Sequence, residues 1–520
     1  MKLITIIIYL FAFVSAEEYI VSLKGPKAFQ RFMDSQLVQE ILESKPIRKR
    51  IIKTYSFGNF RGFVIDLPNE WLIKIRRSPF VSQVVPNFSF KAFDEETALS
   101  EVYRGRTIVA RGENGGSPEL QGFKKEECRG DSVYFDKFEA SGKDMPQVNG
   151  KLLSRYIKTQ SEAPRHLARL SRRSQLPYDF NDPTRYESDF NYYYYGWHQG
   201  RSVNAYVLDS GVMIDHCDFE GRAYYGADFI RSGNSGDQNG HGTHVAGLIG
   251  SKTYGVSKKV NIIDVKVLDS VGSGTLDTVM SGLEFVSNHC NYKGKQGKQG
   301  KQGKPVWGSE DSHDDDVESK RCVINLSLGT FRSTIINEAI EELIKQGIVV
   351  VVAAGNSNMN ACWTSPASVA DVITVGAFDD RIDSIAKFSN WGNCVDIFAP
   401  GVLVKSLSNK FPYYPIEQTG TSMATPIVTG LVALLLDSGI KPTQIKKRLN
   451  ELATDNIFPR RTLLFKPGTP NRIAFNGVKR DDDDYHHYSY PNITIEHILK
   501  ELDSYNPSNY KRSTLSLTLV

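Results

Sequence analysis

Val203-Asn204-Ala205-Tyr206-Val207-Leu208-Asp209-Ser210-Gly211 is a short, nearly continuous apolar run that stops on a carboxylate and a turn. A run of this length closed by turn residues reads as a strand covered on both faces. Residues 348–353 form a second such run. From about residue 200 to about residue 477, apolar runs alternate with stretches of helical spacing. That alternation predicts an α/β domain with a mainly parallel central sheet flanked by helices. Open sheets of this kind bind ligands beyond the C-terminal ends of their strands, which is where Asp209 stands.

Upstream of this domain the chain changes character twice. Residues 19–93 predict a separate ferredoxin-like α+β unit in the order β-α-β-β-α-β, with residues 80–90 as its last strand. Residues 94–160 lose apolar periodicity and read as a flexible, exposed connector of the kind proteases cut. At the start, Met1-Lys2, an apolar stretch over residues 3–14 and Val14-Ser15-Ala16 make a secretory signal peptide, residues 1–16. The stretch is too short to cross a bilayer, and no later one is longer, so no membrane span is expected.

The remaining low-complexity segments carry no assigned chemistry. Residues 293–320 hold a Lys-Gln-Gly repeat and Asp314-Asp315-Asp316, which predict a solvated loop. Residues 478–520 open on Lys479-Arg480 and an aspartate run, then continue as a polar tail. Glycosylation sequons begin at Asn87, Asn325 and Asn492, with Asn325 expected inside a core strand. The 520 residues carry a net charge of only +4, which gives no footprint for nucleic acid.

Two further segments bear on Asp209. Asn239-Gly240-His241-Gly242-Thr243-His244 leads into a helical stretch, so His241 stands at a helix start. His241 and His244 are three apart, yet no glutamate stands between them as in the zinc-protease pattern. Gly420-Thr421-Ser422-Met423-Ala424-Thr425-Pro426 opens a stretch that is apolar almost all round, predicting a buried central helix. A serine at its start faces unpartnered backbone N–H groups and the positive helix end, which suit a nucleophile whose product is an oxyanion. Taken singly, each residue is also an ordinary turn aspartate, helix-start histidine or helix-cap serine.

Together, in this order, the three segments resemble the signatures of the subtilisin-like serine proteases, most closely the proteinase K and cerevisin group. Asp218-Phe219-Glu220-Gly221-Arg222-Ala223, Ser327-Leu328-Gly329, Ala353-Ala354-Gly355-Asn356, Ser365-Pro366-Ala367-Ser368 and Phe388-Ser389-Asn390-Trp391-Gly392 support the resemblance. It covers about residues 163–477, while residues 19–93 look like the inhibitory prodomain of such proteases. The resemblance implies Asp209, His241 and Ser422 as catalytic triad, with the Asn356 side chain and the Ser422 backbone N–H as oxyanion hole. It implies that Gly272, Ser273 and Gly274 on one side, and Ser327, Leu328 and Gly329 on the other, pair with an extended substrate. Ala353, Ala354 and Gly355 would line a primary pocket with room for hydrophobic or aromatic side chains.

On this reading the chain is a zymogen acting on protein or peptide substrates, with its own prodomain as intramolecular inhibitor. The peptidase domain spans residues 161–477, and maturation falls between about residues 142 and 161. No cofactor is required for catalysis. Asp396 matches one calcium-ligand position of the proteinase K group, so structural calcium is an expectation resting on a single carboxylate. Cys362 and Cys394 match cysteine positions of cerevisin-like sequences, and Cys290 and Cys322 bracket the low-complexity insertion. Both pairings are expectations, since spacing does not determine connectivity; they leave Cys217 over, with Cys128 in the connector. The expected location is the secretory pathway, extracellular or cell-surface, with a vacuole as alternative. A catalytically inactive homologue serving as a binding protein is the rival function. A dinucleotide-binding reading fails because Asp277 occupies the third glycine position after Gly272-Ser273-Gly274.

Overall fold

The computed structural model describes residues 18–35, 51–66, 69–93, 157–186, 188–230, 236–291, 321–411 and 414–478. The signal segment, Cys128, most of the connector, the Lys-Gln-Gly insertion, Lys479-Arg480 and the Asn492 sequon lie outside the described residues.

The N-terminal unit follows the expected order: β1 (Glu18–Leu23), α1 (Ala28–Met33), β2 (Ile51–Phe57), β3 (Phe60–Asp66), α2 (Asn69–Arg76) and β4 (Val81–Pro86). Its antiparallel sheet runs β2-β3-β1-β4. One face of the sheet is closed by Phe32, Met33, Leu72 and Ile75 from the helices, packed on Tyr19, Val21, Phe63 and Ile65. The expected last strand is in fact two. β4 ends at Pro86, and a separate strand β5 (Ser89–Ala92) leaves the unit altogether. Proline has no N–H to continue a ladder, which allows the chain to turn away here.

The α/β domain contains β6 (Val203–Asp209), β7 (Ala223–Asp228), α3 (His241–Gly250), β8 (Asn261–Lys266), β9 (Ser273–Thr275) and α4 (Leu276–Cys290). These are followed by β10 (Arg321–Leu326), β11 (Leu328–Phe331), α5 (Thr334–Lys345), β12 (Val349–Ala353), β13 (Ile373–Asp379), β14 (Ile397–Pro400) and α6 (Thr421–Asp437). The parallel core of a ten-stranded sheet runs β7-β8-β6-β10-β12-β13-β14. The strand order reverses beside β6, so Asp209 ends the strand at the switch point, where such sheets open a crevice. On one face, α3 and α6 pack Val245, Leu248, Ile427 and Leu431 against the sheet. On the other, α4 and α5 contribute Leu276, Leu283, Ile336 and Leu343.

The N-terminal unit shares that second layer. Tyr55, Phe57, Phe60 and Phe90 are buried in the same cluster as α4 and α5. Acidic residues of the two helices take up donors of the N-terminal unit around this apolar contact. The backbone N–H of Ser56 donates to Glu284 Oε1 at 2.7 Å, and that of Asn59 to Glu342 Oε2 at 2.8 Å. Gln83 Nε2 donates to Glu338 Oε1 at 2.7 Å, and the Tyr55 hydroxyl to the Asp277 carboxylate. Burial, reinforced by Asp277, pushes the Tyr55 hydroxyl well above its ordinary pKa, so it stays a donor. The Asn87 sequon is engaged as well: its amide donates to Glu18 and accepts the Asp277 N–H at the start of α4. Asn325 is fully buried in β10, as expected.

The chain just before residue 161, the expected start of the second domain, is bonded to the residues that follow it. Ile157–Gln160 is a strand paired with Tyr192–Tyr195. Gln160 is buried, accepts from the buried Lys258 Nζ at 2.7 Å and donates to the Thr253 carbonyl at 2.9 Å. A cut at the end of the expected interval would strip Lys258 of that acceptor, which a buried ammonium tolerates poorly. Two disulfides form, Cys290–Cys322 and Cys362–Cys394, while Cys217 lies outside both. Among the described residues no single helix is long and apolar enough to cross a membrane.

Candidate active site

Asp209 and His241 meet where the end of β6 faces the start of α3: His241 Nδ1 lies 2.7 Å from Asp209 Oδ1. Asp209 Oδ1 also accepts the Ser210 N–H at 2.7 Å, which orients the carboxylate. The register of strand and helix is held by a residue the sequence reading passed over. Asp237 Oδ1 accepts from Ser210 Oγ and from the N–H groups of Asn239 and Gly240, at 2.8–3.0 Å. Its Oδ2 accepts from the N–H and hydroxyl of Thr243. Asp237 thus caps the free donors at the start of α3 and ties them to the residue after Asp209. An aspartate shortly before an Asn-Gly helix entry was the available signal.

Ser422 stands in the first turn of α6, which is buried through this turn as predicted. Pro426 lies four residues on and has no N–H to give the Ser422 carbonyl. Ser327 supplies the missing donor: its Oγ reaches the Ser422 carbonyl at 3.0 Å. In return the Ser422 hydroxyl donates to the Ser327 carbonyl at 3.0 Å. Asn325 Nδ2 in turn donates to Ser327 Oγ at 2.9 Å, and Thr429 Oγ1 to Asn325 Oδ1 at 2.8 Å.

Asn356 follows the C-terminal end of β12. Thr421, beside the serine, sets its orientation: the Thr421 N–H and hydroxyl donate to Asn356 Oδ1 at 2.9 and 2.8 Å. With its oxygen so engaged, the amide points Nδ2 into the cleft, where it donates to the Phe93 carbonyl at 3.0 Å. That same carbonyl packs against Gly420, where a Cβ would collide with it.

The cleft is filled by the chain's own β5. The strand lies between β9 and β11, antiparallel to both, in the register Gly274↔Phe90, Ser273↔Lys91, Gly329↔Lys91 and Leu328↔Ala92. The ladder closes with the Ala92 N–H on the Gly272 carbonyl at 3.0 Å and the Phe93 N–H on the Ser327 carbonyl at 3.2 Å. Phe90 is fully buried, a contact worth about 1.5–3 kcal/mol for a ring of this size. The Phe93 ring lies over Gly329 and borders Gly355; a Cβ on Gly329 would strike it. Ala354 does not serve as a wall alone, since its carbonyl accepts from Asn390 at 2.7 Å, and Ala353 ends β12 in register with Val375. Asp209, His241 and Ser422 are all fully buried beneath this arrangement.

His244, and Asp396, the one residue matched to a calcium-ligand position, have protein partners. His244 is buried with Nε2 3.0 Å from the Val404 carbonyl, and burial lowers its pKa to about 3. Asp396 lies 2.8 Å from Lys446 Nζ and accepts the Thr374 N–H at 2.9 Å. Burial raises its carboxyl pKa, opposed by Lys446. Among the described residues no group of three or more His, Cys, Asp or Glu is placed to hold a metal ion.

The fold and the filled cleft define a proteolytic α/β domain covered by its own inhibitor-like unit. Residues 200–472 match the Subtilase family and residues 18–92 match Peptidase inhibitor I9. The chain belongs to the subtilase family of serine proteinases, with the family's inhibitor prodomain in front. It is similar to the Subtilase-type proteinase RRT12 of Saccharomyces cerevisiae, 45% identical over 94% of this chain and 88% of that protein. Cerevisin, also of Saccharomyces cerevisiae, is 38% identical over 62% of this chain and 48% of its own length. A cold adapted subtilisin-like serine proteinase of solved structure is 38% identical, covering 61% of this chain and all of its own, with a TM-score of 0.49. Peptide substrates and intramolecular inhibition follow from the two matched modules.

Proposed function

We propose that the chain is a self-processing serine endopeptidase zymogen in which Asp209, His241 and Ser422 form the triad. His241 Nε2 takes the Ser422 Oγ proton as that oxygen attacks the scissile carbonyl carbon. The carbonyl oxygen becomes an oxyanion between Asn356 Nδ2–H and the Ser422 backbone N–H. His241 then delivers its proton to the leaving amine, and water hydrolyses the acyl-enzyme by the reverse steps. Asp209 stays ionised, holds the proton on Nδ1 and stabilises the imidazolium. Before the attack, the Ser422 hydroxyl exchanges its bond to the Ser327 carbonyl for one to His241, a tightening common on passing to the reacting complex.

The observation that carries this reading is the Asn356–Phe93 hydrogen bond, because it holds a peptide carbonyl where the oxyanion would form. It supports Phe93 as the residue before the scissile bond and Phe93–Asp94 as the first bond cut, upstream of the expected interval at 142–161. It also supports a preference for an aromatic residue before the scissile bond and a second one three residues earlier, in the place of Phe90. Entry into the secretory pathway is part of the proposal, and the two disulfides support it, since such bonds persist in oxidising compartments.

The test is to purify the chain and its Ser422→Ala variant and to sequence the N-termini. The wild-type protein should yield Asp94 as a new N-terminus and label with a fluorophosphonate at Ser422. The variant should do neither. A wild-type chain that stays uncut and unlabelled would establish the inactive homologue instead.

A further inference from the structure

We infer that Asn390 is the positioning residue of the oxyanion hole, acting through Asn356; the inference rests on the role proposed above for Asn356. Asn356 sits in an irregular loop, residues 354–359, between β12 and the 3-10 turn Ala361–Trp363. The loop is held by bonds from outside it, among them Gly355 N–H to Thr421 Oγ1 at 3.2 Å and Asn358 N–H to the Phe388 carbonyl at 2.7 Å. Gly355 has φ +104° and Asn358 φ +46°, both in the left-handed region, and no regular ladder runs through it.

One buried side chain bonds the loop at three points. Asn390 Oδ1 accepts the N–H groups of Ser357 at 3.1 Å and Met359 at 3.0 Å. Asn390 Nδ2 donates to the Ala354 carbonyl at 2.7 Å, and the Asn390 backbone N–H donates to the Gly355 carbonyl at 2.8 Å. The loop is therefore pinned on both sides of Asn356. Asn390 is itself fixed to the sheet through Ser389, whose Oγ accepts the Ala377 N–H and donates to the Asn390 carbonyl. Gly355 belongs to the same device, since a Cβ there would strike Asn390 Nδ2.

The chemistry demands an asparagine. One planar group must offer two acceptor directions and a donor at this reach. Aspartate keeps the acceptors but sets a carboxylate against the Ala354 carbonyl. Oxyanion donors act only within about 2.7–3.1 Å of the developing charge. A misplacement of about 1 Å costs on the order of 10² in rate.

The experiment is a double-mutant cycle on the full chain, read as the first-order rate at which the Asp94 N-terminus appears after refolding. Asn356→Ala should slow the cut about 10²–10³-fold. Asn390→Ala should slow it about 10²-fold alone, but by no more than about threefold in the Asn356→Ala background. Folding is checked by thermal midpoint with Ser422→Ala added, so that no chain is cut. If Asn390→Ala does not fold, Asn390→Asp replaces it in the same cycle. The inference is overturned if the Asn390 variant cuts within about threefold of wild type, or if it slows the cut by the same factor in both backgrounds. An Asn356→Ala chain that cuts at the wild-type rate overturns the oxyanion assignment, and this inference with it. Slow Asn356→Ala beside fast Asn390→Ala overturns this inference alone.

Discussion

The side-chain amide of Asn356 donates to the carbonyl of Phe93 at 3.0 Å, joining two residues 263 apart in the chain. β5 is held in the cleft by a ladder on both edges, with the Phe93 ring over Gly329, and on the function proposed above it is the acyl half of a substrate. Phe93→Ala removes the ring and keeps the ladder. Burying a phenylalanine side chain is worth about 1.5–3 kcal/mol, so the first cut should slow about 10- to 100-fold. N-terminal sequencing over a time course after refolding checks this, with Phe93→Tyr expected to stay near the wild-type rate.

Ser327 and Pro426 make a second pair. Ser327→Ala leaves the Ser422 carbonyl without the donor that Pro426 fails to provide. An unsatisfied buried acceptor costs about 1–3 kcal/mol, which should appear as a lower thermal midpoint in the uncut Ser422→Ala chain. Adding Pro426→Ala restores a helical N–H and should recover part of the loss. An additive further loss would count against this explanation.

After the proposed first cut the prodomain should stay docked through its apolar face and the acidic residues of α4 and α5. Glu342→Ala withdraws the acceptor of the Asn59 N–H. Hydrogen bonds to charged groups are worth about 1.5–3 kcal/mol, so release of the cleaved prodomain should quicken about tenfold or more. The lag before activity on an added peptide should shorten accordingly, while the rate of the first cut changes little.

Lys258 predicts a pH dependence. It is fully buried, and desolvation lowers its pKa to about 7, from an ordinary 10.5. Between these values the unfolded chain binds the proton that the folded chain has lost, so this group's contribution to stability improves as pH rises from about 7 towards 10.5. Below pH 7 both states carry the proton and the full penalty stands. Lys258→Met should therefore be more stable than wild type at pH 6, with an advantage that shrinks by up to about 1.4 kcal/mol per pH unit above 7. Paired thermal melts at pH 6 and pH 9 give the comparison.

Much of the site was legible beforehand because its signals are local. A strand ending on Asp209, a histidine at a helix entry and a serine at the head of an apolar helix are each visible within ten residues. Asn356 required the family resemblance, since nothing in Ala-Ala-Gly-Asn distinguishes an oxyanion donor from a turn. Asp237 carries no local signal so plain, and Asn390 stands in the sequence only as part of the supporting Phe388–Gly392 motif, because the value of both lies in what they reach. Asp237 joins the end of β6 to the start of α3, and Asn390 spans both sides of a loop more than thirty residues upstream. The split of the last prodomain strand was missed for a similar reason. Pro86 was present in the sequence, but the partners that draw β5 away, Gly274 and Gly329, lie in another domain.

By itself the sequence determined which segments become strands and helices, and that carboxylate, imidazole and hydroxyl stand at their ends. It also set the special positions: Pro426 withholding an N–H, and Gly355 free to take a positive φ. Only the tertiary structure decided that Ser327 supplies the absent donor, that Asn390 bonds the loop on both sides of Asn356 and that the Phe93 ring lies over Gly329. It also decided that Asp396 faces a lysine ammonium. Propensity and periodicity act over a few residues, whereas a hydrogen bond requires two atoms within about 3 Å. Between residues hundreds of positions apart, that distance is set only when the sheet, its flanking helices and the docked prodomain pack together.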